Sequence, residues 1–394
     1  MSAGKVMKIK NNLELKLLIL IIILGGFFRF YSLGAENLHH DEAYHVNAAL
    51  SGSVAEVSEK TIRYFEHPVL LNVMLYAWAQ FGSSEFYLRS LQAIAGTLGI
   101  LLIFLISKEI FNEKVCLLSA LIFSLSPEHI RFAQEFRGYA IATLFVMASF
   151  YFFVKAIKQD KNKYWFFYAL FGILTPNTDY FAGAYLAAVF LFFIINIKKY
   201  KHILKKFIFI ESLMLIFVLP NIFPFLIQAS IAPFWAEASL SPLWKILIIP
   251  YNFYVFTLGH YQPYMANFSW KVGLRHLPLL LIIFSFITYF FIKALIPLKK
   301  NSEKILLLLV LFVPFIIAYI ISSLSYFSLE PYHFLAVSFP YYIFIAKGIF
   351  SVKNKKRFTI TIISIIAISL VSINAYYSSE KPSWKAAADY IKEN

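Results

Sequence analysis

The sequence predicts an all-α polytopic membrane protein of about eleven transmembrane helices, and three observations carry that prediction. Sixty per cent of the 394 residues are hydrophobic, 14% are charged and the mean hydropathy is +0.69; a soluble domain has nowhere to bury so much apolar surface. The apolar runs are continuous rather than alternating, which selects helices over a closed barrel, the other structure that satisfies its backbone without water. Lysines gather in short connections between the runs, as the positive-inside rule requires of cytoplasmic loops. That placement accounts for the formal charge of +15 without nucleic acid, since no basic domain interleaved with aromatics is present. A single cysteine, Cys116, excludes a disulfide framework within the chain and a Cys-based zinc site.

Taken in order, residues 1–16 carry Lys5, Lys8, Lys10 and Lys16 ahead of the run Leu17–Phe28. No small-residue cleavage site follows, so residues 13–33 are expected as a retained first helix with a cytoplasmic N-terminus and Arg29 snorkelling at its outer end. Lysine-bearing loops at 108–114, 155–163, 198–206, 293–304 and 353–357 then fall inside. The connections near 34–88, 127–138, 175–180, 229–275 and 326–332, and the tail after 378, fall outside. The scheme works if Val69–Phe81, too short for a comfortable span, lies at the interface. The first outer loop is therefore long and is expected to carry one or two interfacial helices. The spans near 115–127 and 164–175 are also short. Residues 1–377 form the transmembrane domain and 378–394 a short outer tail; no internal repeat is apparent.

The charged residue types separate across this scheme. Of 29 lysines, 23 fall inside, whereas six of seven arginines and eight of nine histidines fall outside. Topology explains the lysines but not the arginines, whose planar fork suits bidentate phosphate or carboxylate binding. The outer face is thus the expected place for a phosphate-bearing ligand.

The densest polar stretch is His39-His40-Asp41-Glu42-Ala43-Tyr44-His45, just past the first span. Ionisable groups beside a bilayer usually serve chemistry or transport. Asp41 is the candidate catalytic base, able to share a helix face with His45 at i,i+4 and to accept a proton from a hydroxyl. His39, His40, Glu42 and His45 leave a divalent cation open as the one candidate cofactor, although the spacing of His40 and His45 does not fit HExxH. Further on, Glu66-His67-Pro68 opens the interfacial helix and puts His67 at a helix N-terminus, where a phosphate is favoured. Pro127 ends a span, after which Arg131 and Glu135 pair at i,i+4 on the surface while Arg137 points elsewhere on the same helix. Pro176–Phe181 and Glu330-Pro331-Tyr332-His333 are further outer turns. Glu211, inside an apolar run, reads as structural.

These motifs, in this order, resemble the membrane glycosyltransferases of the C-type fold. The branch of protein O-mannosyltransferases, the lipid A aminoarabinose transferase and related prokaryotic enzymes is the most similar. The motifs are Asp41-Glu42 after the first span, His67-Pro68-Val69-Leu70, Ser126-Pro127 with Gln134-Glu135 through Arg137 to Tyr139, Thr178-Asp179-Tyr180-Phe181, and Trp384–Ile391 in the tail. The resemblance covers nearly the whole chain in order and hydropathy. It implies a polyprenyl-phosphate sugar donor and a lipid, glycan or protein acceptor, joined at the outer face of the cytoplasmic membrane. It assigns Asp41 as base with Glu42 its acidic companion, His67 near the donor phosphate, and Glu135, Arg137 and Tyr139 to the second outer motif. Two departures stand out: Pro68-Val69 replaces the usual Pro-Pro, and Asp179 replaces the middle His of Thr-His-Tyr. The rival reading, a transporter or flippase of lipid-linked sugars, predicts ionisable groups at mid-membrane and paired repeats with broken helices. Here the charges sit in outer loops instead.

Overall fold

The computed structural model describes residues 12–35, 37–64, 67–230, 242–259, 270–296, 302–324, 330–379 and 393. The expectations for Glu66, for Lys5, Lys8 and Lys10, for the Arg275 side chain and for the Trp384–Ile391 motif lie outside the described residues.

Every regular element among the described residues is helical. The first apolar run forms α1 (Asn12–Phe30). The long first loop folds into α2 (His40–Ala49), α3 (Val54–Tyr64) and α4 (Val69–Ala79), three helices where one or two were expected. Hydropathy misses α2 and α3 because local capping, not apolar length, starts them. Glu42 accepts the His39 N–H at 2.9 Å to open α2, and the Ser53 hydroxyl accepts the Glu56 N–H at 3.2 Å to open α3. The chain continues through α5 (Glu85–Ile110), α6 (Glu113–Ser124), α7 (Pro127–Ala133), α8 (Tyr139–Gln159), α9 (Asn162–Thr178), α10 (Ala184–Ile195) and α11 (Ile197–Tyr200). It then forms α12 (Leu204–Val218), α13 (Ile222–Ser230), α14 (Pro242–Leu258), α15 (Trp270–Leu295), α16 (Ser302–Leu324), a 3-10 segment at Pro331–Val337, α17 (Phe339–Ile349) and α18 (Lys355–Tyr377).

Among the described residues five stretches are long and apolar enough to cross a membrane: Glu85–Ile110, Tyr139–Gln159, Ile197–Leu226, Ser302–Ser323 and Lys355–Tyr377. The pair α6–α7, bent by 59°, makes a sixth. The bend sits at Pro127, which lacks the N–H needed to continue α6. Leucine, isoleucine and phenylalanine side chains on α1, α12 and α18, such as Ile23, Phe209 and Ile363, stay exposed, as lipid-facing surfaces do. The lysine scheme treats 229–275 as one outer connection, yet α14 within it packs into the bundle: Phe253 stacks on Tyr341 of α17 at 5.0 Å. Helices α15 and α17 approach so closely at Gly348 that a Cβ there would lie 1.8 Å from the Phe290 carbonyl oxygen.

One large core joins α5, α6, α8, α9, α10 and α15–α17, and a small one under the first loop is built from Ala49, Leu71, Leu75, Leu88 and Phe136. Glu211 accepts a hydrogen bond from the Tyr168 hydroxyl across the α9–α12 contact. Arg29 does not snorkel as expected. It is fully buried and donates to the carbonyls of Gly25 (2.8 Å) and Ser124 (3.1 Å), because the last carbonyls of α6 lack helical N–H donors and accept from the guanidinium instead.

Candidate active site

The site forms where the first loop meets the bend between α7 and α8. That bend, residues 134–138, is held from three sides. Gln134 donates to the Tyr31 carbonyl at 2.7 Å and accepts from the Tyr376 hydroxyl at 3.0 Å, the Phe136 N–H donates to Glu42 Oε1 at 2.7 Å, and Arg137 meets Asp41. Arg137 is therefore on a turn, not on a continuing helix as expected, because α7 stops at Ala133 and α8 starts at Tyr139. Gly138 lets α4 approach the turn: a Cβ there would meet Leu71 at 2.7 Å.

Glu42 and Arg89 fix the floor. Both are completely buried, and Arg89 binds the carboxylate with two 2.8 Å bonds, one to each oxygen. Arg89 also donates to the carbonyls of Leu33 and Asn37 at 3.1 Å, while Glu42 additionally accepts from His39 and Phe136 N–H groups. Three stretches of chain, residues 33–42, α5 and the 134–138 turn, thus converge on one ion pair, with its hydrogen-bonding capacity nearly filled, as a buried pair requires.

Asp41, the next residue, stays accessible: 38% of its side chain is exposed. Its Oδ2 lies 3.0 Å from Arg137 Nη1 and its Oδ1 lies 3.1 Å from His40 Nδ1. Burial alone would raise its carboxyl pKa, but Arg137, then His40 and His39, outweigh that and hold it below the ordinary carboxylate value. His39 is held below the usual imidazole range, chiefly by burial, which suits its neutral Nδ1 accepting the Asp41 N–H at 3.3 Å.

The expected Asp41–His45 contact is absent. His45 turns inward and its Nδ1 sits 2.7 Å from Asn72 Oδ1; Asn72 in turn donates to Thr61 Oγ1 at 3.0 Å. Burial drives its pKa down to about 4, so it stays neutral. A buried amide oxygen satisfies a neutral imidazole N–H, whereas Asp41, in the first turn of α2, is drawn to solvent and to Arg137. With Glu42 committed to Arg89 and His45 to Asn72, the cation set His39, His40, Glu42 and His45 does not converge; no group of three His, Cys, Asp or Glu is placed for a metal among the described residues.

Arg137 is nearly buried and caged by aromatic faces. Its guanidinium carbon lies 4.9 Å from the Tyr139 ring centroid, 5.0 Å from Tyr332 and 5.9 Å from Phe132, and Nη2 donates to the Tyr139 hydroxyl at 3.0 Å. Its Nε is a buried donor with no acceptor among the described residues. Burial opposes the charge, but Tyr139, Asp41 and Glu135 raise its pKa overall. Glu135 lies 3.6 Å from Arg137 and 3.0 Å from Arg131. The Arg131–Glu135 pair forms as expected, but Glu135 is only 6% exposed in that pair, so the contact is largely interior.

His67 lies beside this group, its ring 4.9 Å from His45 and 6.3 Å from Tyr139. Burial, with His45 and Arg137 next, pushes its pKa well down. The turns at 176–181 and 330–333 close the circle: Tyr332 packs 5.1 Å from Tyr139, and His333 stacks on Phe181 at 4.5 Å. Asp179 accepts the Ala182 N–H at 2.7 Å, and burial raises its carboxyl to about 6. Asp41, Glu42, His67, Glu135, Arg137 and Tyr139 are thus brought into one neighbourhood. Arg89, which the sequence marks only as an outer arginine, and Tyr332, which it marks only as part of a turn, were missed as site residues.

Among the described residues the fold is all-helical, with at least five helices long and apolar enough to cross a membrane, and its polar site lies where the first loop meets the α7–α8 bend. Residues 66–227 match the family described as dolichyl-phosphate-mannose-protein mannosyltransferase. No curated protein matches the chain by sequence. The fold resembles apo ArnT from Cupriavidus metallidurans, with a TM-score of 0.58 and 13% identity over 88% of this chain and 62% of that one. It resembles that protein bound to undecaprenyl phosphate at TM-score 0.57 and 14% identity, over 89% and 63% of the two chains. It also resembles the archaeal oligosaccharyltransferase AglB from Archaeoglobus fulgidus, in complex with an inhibitory peptide and a dolichol-phosphate, at TM-score 0.60 and 12% identity over 97% and 58%. The chain spans about three-fifths of the length of these solved relatives.

Proposed function

We propose that this chain is a membrane glycosyltransferase that moves a sugar from a polyprenyl-phosphate donor to a hydroxyl of a lipid, glycan or protein acceptor. The reaction takes place at the outer face of the cytoplasmic membrane. The observation that carries the reading is the Asp41–Arg137 pair at 3.0 Å, an accessible carboxylate against an aromatic-caged arginine whose buried Nε has no acceptor among the described residues. The relatives solved with undecaprenyl phosphate and with a dolichol-phosphate support the donor class.

In this scheme the acceptor oxygen attacks the anomeric carbon and the bond from that carbon to the phosphate oxygen breaks. The acceptor's proton passes to Asp41, and polyprenyl phosphate leaves with the electron pair. One displacement inverts the anomeric configuration. Arg137 meets the charge growing on the leaving phosphate, so no general acid is needed there. Glu42 is a positioning residue: committed to Arg89, it holds Asp41 and the 134–138 turn together.

The test is sugar transfer from a polyprenyl-phosphate donor to a panel of acceptors, with Arg137 variants measured alongside. Arg137→Ala removes a charged hydrogen-bond partner and weakens donor binding by about 1.5–3 kcal/mol, roughly ten- to a hundredfold. Arg137→Lys restores part of that, since an ammonium lacks the fork. Unchanged donor affinity in both variants would remove Arg137 from the donor site.

The outer-face assignment has its own check. In a Cys116→Ser background, cysteines at exposed His40 and Arg63 react with an impermeant thiol reagent in intact cells, whereas cysteines at Lys114 and Lys356 react only after permeabilisation. The reverse pattern would invert the topology.

A further inference from the structure

We propose that the inner ends of α1, α6 and α18 form a binding site for one anionic phospholipid, distinct from the donor site. A groove of about 740 Å³ opens there, with apolar walls from Leu20, Leu24, Leu117 and Ile362 and three lysines, Lys114, Lys353 and Lys355, at one end. These lysines lie in two connections that the charge distribution assigns to the cytoplasmic side.

The shape follows from the packing. Leu24 and Leu121, at the far end of the groove, belong to a cluster with Leu125, Ile366 and Ile373 that joins α1, the α6–α7 bend and α18. The three helices are joined there, and the groove opens between them on the side of their N-termini. Along α6 the lining runs from Lys114 to Leu121 and along α18 from Lys355 to Ile362, a rise of about 10 Å in each at 1.5 Å per residue. The groove therefore reaches from the headgroup level into the upper acyl region of one leaflet.

Charge selects the occupant. Four other inner-side lysines are matched by carboxylates: Lys108 with Glu14 at 3.0 Å, Lys155 and Lys158 with Glu109 at 3.0 and 3.5 Å, and Lys206 with Asp160 at 2.7 Å. Lys114, Lys353 and Lys355 form no ion pair among the described residues. They stand at or beside the N-terminal turns of α6 and α18, whose partial positive charge adds to theirs. A zwitterionic headgroup leaves this excess uncompensated; a phosphate bearing a net negative charge, carried on acyl chains that fill the apolar walls, satisfies both halves of the groove.

Native mass spectrometry of the full chain in detergent tests this, using phosphatidylglycerol and phosphatidylcholine with identical acyl chains and the chain-free headgroup glycerophosphoglycerol. One phosphatidylglycerol is expected to bind in preference to phosphatidylcholine. The variant K114Q/K353Q/K355Q should lose about a hundredfold in affinity for it, at roughly fivefold per lysine. Leu20→Trp, at an exposed lipid-facing position, puts an indole in the groove and should displace the lipid while leaving the lysines intact. Equal affinity for the two lipids overturns the proposal. So does a preference that survives the triple substitution, binding that survives Leu20→Trp, or glycerophosphoglycerol binding as tightly as the lipid.

Discussion

Asp41→Asn is expected to bind the polyprenyl-phosphate donor and to transfer its sugar on the order of a hundredfold or more slowly than the wild type. The amide keeps the carboxylate's size and can still hydrogen-bond, but it cannot take the acceptor's proton. The pH profile separates Asp41 from the other carboxylate of the site. Arg137, His40 and His39 hold the Asp41 carboxyl down against burial, so its carboxylate persists until the pH falls below the ordinary aspartate value of about 3.9. Asp179, raised to about 6 by burial, takes up its proton at milder acidity. If Asp41 is the base, the acid limb of turnover lies below pH 4, moves upward in Arg137→Lys as the closest positive charge is displaced, and is indifferent to Asp179→Asn. A limb near pH 6 abolished by Asp179→Asn, together with normal turnover in Asp41→Asn, would transfer the role to Asp179.

What the sequence revealed of this site was its parts. Asp41, His67, Arg137 and Tyr139 were legible because each is an ionisable or hydroxyl-bearing group in a short polar interval between apolar runs. The lysine counts give them one expected side of the membrane, which the cysteine-labelling test addresses. The contacts were not legible, since Arg89 and Glu42 are 47 residues apart and no local pattern pairs them. Helical spacing misled at two places. Asp41 and His45 do fall on one helix at i,i+4, but a buried neutral imidazole is better satisfied by Asn72 than by an exposed carboxylate. Arg137 was assigned to a helix that ends four residues earlier, where Gln134, Glu42 and Asp41 capture the chain and turn it. The first loop gave up only α4, because its capped, polar helices α2 and α3 leave no mark on hydropathy.

The largest loss of stability is expected from breaking the Glu42–Arg89 pair. Two charges removed from water gain little net energy from each other, because desolvation cancels most of their attraction; removing one partner is different, since it strands the other charge in the interior. Arg89→Met and Glu42→Gln should each cost about 3–5 kcal/mol. The double replacement Glu42→Leu with Arg89→Met should cost less than the two singles combined, because no buried charge remains. It does not become neutral: the N–H groups of His39 and Phe136 lose the carboxylate that accepts them, at about 1–3 kcal/mol each. Thermal unfolding of the four proteins in one detergent gives the cycle. In the same preparations Glu42→Gln should impair transfer in proportion to lost folded protein and lost positioning of Asp41, without shifting the acid limb that Asp41 sets. An Arg89→Met protein that unfolds at the wild-type temperature would show that the pair does not hold the loop. The placement of Asp41 against Arg137 would then have to rest on the Gln134 contacts and on α4 packing against Gly138.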